Sequence, residues 1–441
     1  MELRDLIVTP FIIIAVYTAA YFLRPRLCDV NNYRYFFPAL TTKLLGALFV
    51  GVLYQYYYNG GDTFNYHTHG SRVIWDAFMD SPESGLKLIF TPSAHNIYKY
   101  SSRMLFFGDP SSYFVVQVAA VIDLLTFSTY SATAVVFAFF SFLGMWFMFL
   151  TFYESYPHLK GKLALCVLFI PSVVVWGSGL LKDTLVIGSI GFATYAIKAI
   201  FVDRRVSIAA ILMFVISLLI IFQVKKYVLL CFLPSAIFWV YGGNLQQVRS
   251  RVLRIMLLPV VIVITVLTGL FVTVKVGQND RRYALDKIAE TASITAYDIG
   301  FYTGRNAGSR YALGKLDGSF GSMVALFPQA VNVSLFRPYI WEVRNPLMLL
   351  SAIESFALLI TTLFLLFRRP LAFFAALRNP TIIFCLMFSI TFAFAVGVST
   401  FNFGTLSRYK IPLTPFYLVA LVIIADSENK ARKLAVFERT E

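Results

Sequence analysis

Apolar runs long enough to cross a bilayer recur along almost the whole of this chain, and a chain in lipid must satisfy its backbone hydrogen bonds internally. In a ~30 Å hydrocarbon core, runs of about 20 residues read as spanning helices. They fall at 6–23, 39–58, 131–152, 163–180, 184–202, 206–222, 227–242, 255–275, 347–367, 381–398 and 411–425. Hydrophobic residues make up 58% of the 441 and charged residues 14%, against roughly 25% charged in a soluble domain. The expectation is an all-α, polytopic transmembrane helical bundle of about 11–12 spans, a single integral membrane domain over 1–441. Two polar outer segments, 59–112 and 276–345, are expected to carry short interfacial helices. No internal repeat is evident.

The first run, Leu6 to Leu23, is followed by Arg24-Pro25-Arg26 with no small-residue cleavage site, so it reads as a retained span. Cys28, Cys166, Cys231 and Cys385 stand alone, a spacing that makes neither a metal knuckle nor a disulfide framework. The net charge of +15 is spread over loops, where Lys and Arg set topology and hold anionic headgroups of the lipid bilayer. No nucleic acid partner is expected.

Arg24, Arg26 and Arg34, Lys160 and Lys162, Arg204 and Arg205, Arg249, Arg251 and Arg254, Arg368, Arg369 and Arg378, and the tail Lys430, Arg432 and Lys433 should all be cytoplasmic. That assignment requires Tyr113 to Phe127, with its Gln117 and Asp123, to be re-entrant or interfacial. The N-terminus is then outside. Asp62, Lys182-Asp183, Lys225-Lys226, segment 276–345 and Arg408 with Lys410 would face one external compartment.

The candidates for chemistry cluster in these breaks. Asn59-Gly60-Gly61-Asp62-Thr63-Phe64-Asn65-Tyr66-His67-Thr68-His69 interrupts the apolar pattern directly after a span. Two glycines allow a sharp turn with positive φ, so Asp62 is presented as a general base or sugar-binding acid, or simply as a turn former. His67 and His69 share a face in a strand and not in a helix. Zinc would need a third ligand that the sequence does not suggest nearby, and hydrogen bonding at the interface is the plainer role. No cofactor is called for, and a divalent metal is neither demanded nor excluded. Ser71 to Met79 reads as an interfacial helix with Val73, Ile74 and Phe78 on its apolar side.

Pro171-Ser172-Val173-Val174-Val175-Trp176-Gly177-Ser178-Gly179-Leu180-Leu181-Lys182-Asp183 ends one span and begins the next. Lys182 is a point charge suited to phosphate, and Asp183 an N-cap for the following helix. The second outer segment carries Arg281, Arg282, Arg305, Arg310, Arg337, Glu342 and Arg344, with Tyr339 and Trp341 beside them. Arginine forks clamp phosphate oxygens, and aromatic faces stack on sugars or sit in the headgroup layer. Glu342 is a second catalytic carboxylate or else a salt-bridge partner of Arg337 or Arg344. Arg408 and Lys410 form a further basic turn, and Glu354 lies within a span, where a carboxylate is costly unless paired.

Three motifs carry a resemblance: Gly61-Asp62-x-x-x-Tyr66, the 171–183 hairpin, and Phe336-Arg337-Pro338-Tyr339-x-Trp341-Glu342. The chain resembles bacterial membrane proteins of surface-polysaccharide assembly, namely exopolysaccharide and O-antigen polymerase-like proteins and lipid-sugar-dependent glycosyltransferases of the GT-C type. The resemblance implies glycosyl transfer or glycan polymerisation at the outer face of the bacterial cytoplasmic membrane. The donor would be a polyprenyl phosphate or diphosphate-linked sugar, and other polysaccharide-assembly proteins would be partners. Asp62 would be the acidic residue of the outer loop, although in GT-C enzymes that loop commonly follows the first span and here it follows the second. Tyr66, His67, Lys182, Asp183, Arg281, Arg282, Arg305, Arg310, Arg337, Trp341, Arg408 and Lys410 are the substrate-binding candidates, and Asp62 and Glu342 the catalytic ones. Two other classes compete. A transporter or flippase for a lipid-linked glycan predicts charges deep in the bundle, whereas here they concentrate at span ends. A non-catalytic subunit of an envelope complex predicts outer charges that are individually replaceable.

Overall fold

The computed structural model describes residues 2–90, 98–246, 250–284, 286–302, 309–314, 316–368 and 370–437. Among them every regular element is a helix, with one isolated antiparallel bridge between Arg310 and Asn402. Seven helices are at least 18 residues long and apolar enough to cross a membrane: Leu3–Leu27, Tyr33–Tyr57, Tyr130–Ser155, Lys182–Val202, Lys226–Asn244, Pro346–Arg368 and Pro380–Thr400. An eighth results if Phe403–Tyr409 and Leu413–Ser427, bent by 66°, act as one span. Pro110–Thr126, Ile208–Val224 and Ile262–Gln278 are shorter apolar helices. The all-α polytopic bundle is therefore the fold, with seven or eight candidate spans among the described residues where about 11–12 were expected, because several of the apolar runs form helices too short or too broken to cross.

The 163–180 run departs from the sequence expectation. It breaks into Lys160–Leu168 and Pro171–Trp176. Proline lacks an N–H and disfavours the α conformation in the residue before it, and Ile170 is accordingly extended at φ −68°, ψ 123°. Helix Pro110–Thr126 is also informative. Its 17 residues reach about 25 Å, short of a ~30 Å core. Its polar side chains are answered locally: the Gln117 amide donates to Ile89 O at 2.6 Å, and Asp123 Oδ1 accepts from Thr133 at 2.5 Å. Helix Arg72–Asp80 forms where an interfacial helix was expected, with Val73 and Ile74 buried.

The chain divides into two compact units, residues 1–196 with 208–225, and 197–207 with 226–441. In the first, Phe36 meets Phe142 and Trp146 edge to face, 5.0 Å from Phe142 and 4.9 Å from Trp146. Helices Tyr130–Ser155 and Lys182–Ile197 cross at small residues, where lipid-embedded helices gain close van der Waals contact. A Cβ on Gly144 would lie 2.1 Å from Gly188 O. Gly144→Ala must therefore push the helices apart, and the expected loss is about 1–3 kcal/mol. A lower apparent Tm in fluorescence-detected size-exclusion chromatography after heating checks this; an unchanged Tm would show the crossing to be loose.

The second unit is built around Phe232, Phe384, Phe388 and Phe416, all buried. Trp239 stacks on Phe384 at 4.6 Å, and Phe388 packs on Phe416 at 4.9 Å. The helix Pro380–Thr400 ends at Phe401 in the left-handed conformation, φ 37°. That reversal leads into the short Phe403–Tyr409 helix and the bend that follows.

Candidate functional site

The first polar cluster lies within the first unit. Gly60 and Gly61 adopt φ +122° and +118°, and a Cβ on Gly61 would come within 3.1 Å of the Tyr54 ring. Conformation and space both call for glycine there. The Gly61 carbonyl then accepts from the Phe64 and Asn65 amides, so Asp62 opens the Asp62–Tyr66 helix with its carboxylate half-buried in the first turn.

Lys182 supplies the opposite charge. Its ammonium donates to Ser111 Oγ at 2.6 Å and to Asp109 Oδ2 at 3.2 Å, and it also feels the charges of Asp62 and Lys225. Asp109 caps the Pro110–Thr126 helix, accepting from the Ser112 amide at 3.2 Å and its hydroxyl at 2.5 Å. Burial works to raise the Asp109 carboxyl, but the Ser112 hydroxyl and the Lys182 ammonium together hold it well below the usual carboxylate range. It stays ionised at physiological pH. The neighbouring Asp183 is wholly buried and forms an ion pair with Lys225, which is 7% exposed. Asp183 therefore serves a buried charge pair in the first turn of the helix.

Asp62 thus lies within the electrostatic reach of Lys182, and Asp183 follows Lys182 in the first turn of the same helix, paired with Lys225 in place of the N-cap role expected for it. Asp109, Ser111, Ser112 and Lys225 complete the cluster. The run Asp109-Pro110-Ser111-Ser112 carried a readable signal, since a capping Asp before Pro at N1 is a helix start; nothing local marked Asp109 as the partner of a lysine 73 residues on.

The 171–183 hairpin that leads to Lys182 is pinned by a residue not singled out from the sequence. Lys43, 2% exposed, donates from Nζ to Val173 O at 2.9 Å, Gly177 O at 3.0 Å and Ser141 Oγ at 3.2 Å. A cation suits the carbonyl-rich C-terminal end of a helix. Close approach is general here: a Cβ on Gly46 would sit 2.4 Å from Val174 O, and one on Gly179 2.5 Å from Val50. Lys43 stands within the Tyr33–Tyr57 span, so the expectation that charges keep to span ends is corrected.

Tyr66 and His67 do not present themselves to a substrate. Tyr66 is 2% exposed with its ring 4.9 Å from Phe106, and His67 is fully enclosed. His69, in the same turn, is exposed.

The second unit holds its own polar cluster. Both Glu342 oxygens engage Arg337, whose Nε lies 3.1 and 3.0 Å from them, and Oε2 also accepts from the Tyr339 amide at 2.8 Å. The salt-bridge role of Glu342 is realised with Arg337. The guanidinium lies over Phe403 at 5.3 Å, Tyr339 at 5.8 Å and Tyr311 at 5.9 Å. Trp341, 79% exposed, stacks on Tyr339 at 4.8 Å. Ser355 joins this to Lys410: its hydroxyl donates to Arg337 O at 3.0 Å and accepts from Lys410 Nζ at 2.8 Å. Lys410 is 1% exposed, so it is an interior cation and not a surface one.

The remaining basic candidates are dispersed. Arg282 is bound to Asp280 at 2.8 Å, which also meets Lys226 at 3.3 Å. Arg281, Arg310 and Arg344 are exposed, and Arg408 is half-buried with its guanidinium 5.9 Å from the Tyr409 ring. Arg249, Arg305 and Arg369 lie outside the described residues. No family model, curated protein or solved structure matches the chain.

Proposed function

We propose that the protein is a membrane glycosyltransferase or polysaccharide polymerase that uses a polyprenyl phosphate or diphosphate-linked sugar at the outer face of the bacterial cytoplasmic membrane. The observation that carries this reading is the Lys182 ammonium, held by Asp109 and Ser111 within the field of Asp62 at the start of a spanning helix. A lysine held at the end of a span, beside a half-buried carboxylate, matches the two charges that such a transfer develops. The acceptor hydroxyl attacks the anomeric carbon, its proton passes to Asp62, and the anomeric C–O bond breaks. The lipid phosphate departs with that electron pair, and Lys182 stabilises its growing negative charge.

A second reading, movement of the lipid-linked glycan without bond cleavage, is favoured by one specific observation: Lys43 is enclosed within a span. The two readings separate in one assay. Purified protein in liposomes with polyprenyl diphosphate-linked oligosaccharide is expected to yield longer glycans and free polyprenyl diphosphate. Transfer of intact glycan lipid between leaflets with no change in chain length would establish transport instead.

A further inference from the structure

His67 sits in a wide turn, His67–Ser71, in which His69 leaves the helical conformation at φ −101°, ψ 23°. The turn packs closely on the Pro110–Thr126 helix, since a Cβ on Gly70 would lie 2.8 Å from Val116. The imidazole has no exposed surface, and neither ring nitrogen has a hydrogen-bond partner among the described residues. Nε2 lies 3.9 Å from Asp123 Oδ2, beyond hydrogen-bond reach. That oxygen is also unpartnered, while Oδ1 is held by Thr133 and Thr126. The ring meets Tyr130 edge-on at 5.6 Å.

The other charges facing His67 are Arg72 from the helix that follows it and Glu2 and Asp5 from the N-terminal region. They are already answered. Glu2 binds Arg72 at 2.6 Å, and Asp5 accepts from the Ser131 amide at 2.8 Å and the Glu2 amide at 2.5 Å. Imidazole suits transition metals, which need further ligands, and no group of three metal-ligating side chains occurs among the described residues. The ligand that the chemistry of this pair fits is a proton.

We propose that His67 and Asp123 form a buried proton-binding site whose occupancy releases the Asp62–Ser71 segment from the Pro110–Thr126 helix. A charged imidazole with no acceptor in reach costs several kcal/mol to keep enclosed, whereas an exposed histidine takes up a proton near its ordinary value of about 6.5. Burial pushes His67 below that value, with Asp123 working the other way. The packed state is therefore fully favoured above the ordinary histidine value and loses ground as pH falls below it. Asp62 begins the released segment, so its presentation becomes pH-dependent.

Hydrogen–deuterium exchange of the detergent-solubilised full chain, corrected for intrinsic rates, reads the opening of residues 62–71. Between about pH 7.5 and about pH 5.5 the opening equilibrium should rise about tenfold in the wild type and stay flat in His67→Gln. Asp123→Asn removes the attraction that favours protonation in the packed state, so its response should continue to lower pH than that of the wild type. An unchanged wild-type equilibrium, or an equal rise in His67→Gln, overturns the proposal. If His67→Gln does not fold, Asp123→Asn decides alone, and a pH response identical to the wild type refutes it.

Discussion

Asp62→Asn is expected to slow glycan elongation by about 10²–10⁴-fold while leaving membrane insertion intact, the range lost when a general base is removed. Asparagine keeps the size of Asp62 and its place in the first helical turn, and Gly60 and Gly61 still set the turn before it. What disappears is the proton acceptor. Lys182→Met should cost about 10²–10³ in kcat, as expected when a stabiliser of developing charge is lost. That variant also leaves the Asp109 carboxylate without its ammonium, so Asp109→Asn serves as its control. Asparagine caps helices as well as aspartate does, and Lys182 keeps Ser111 as a partner; activity should fall far less. A full rate in Asp62→Asn, in protein of normal amount and monodispersity, would remove Asp62 from the mechanism.

The class of fold was legible because lipid imposes a length on each element, and the long apolar runs around 6–23, 39–58, 131–152, 347–367 and 381–398 became single helices. Local chemistry was legible too: the glycine turn before Asp62 and the Arg337–Glu342 pair, five residues apart, follow from neighbours in sequence. The 163–180 break was written in Pro171, but an apolar run that long outweighs one proline in a hydropathy reading. The missed residues share a different property. Asp109 and Lys182 are 73 positions apart, and Lys43 reaches carbonyls 130 and 134 positions away. A single lysine in an apolar run looks like an interruption until the helix end that it caps is brought against it. The enclosure of His67 was hidden for the same reason, because the walls around it come from Tyr130 and from the Asp123 helix.

Lys43 provides the second large effect, and two substitutions divide its charge from its volume. Lys43→Ala empties a fully enclosed site, and by analogy with large-to-small changes the loss is about 3 kcal/mol, or roughly 6–12 °C in apparent Tm for a unit of about 200 residues. Lys43→Met fills nearly the same space. The carbonyls it abandons keep other donors: Val173 O accepts from the Gly177 amide at 3.1 Å, and Gly177 O from the Ser141 hydroxyl at 2.6 Å. Three hydrogen bonds are lost, but so is the desolvation of a buried ammonium, and apolar replacements of buried charges are often neutral or stabilising. The methionine variant should therefore hold its stability within about 1 kcal/mol of wild type, a Tm shift of about 4 °C at most. Its activity then carries the mechanistic weight. In the transferase reading Lys43 pins the 171–183 hairpin and contacts no substrate, so a stable methionine variant retains glycan elongation. In the transport reading the enclosed cation lies on the route of an anionic headgroup, and the same stable variant loses leaflet-to-leaflet movement.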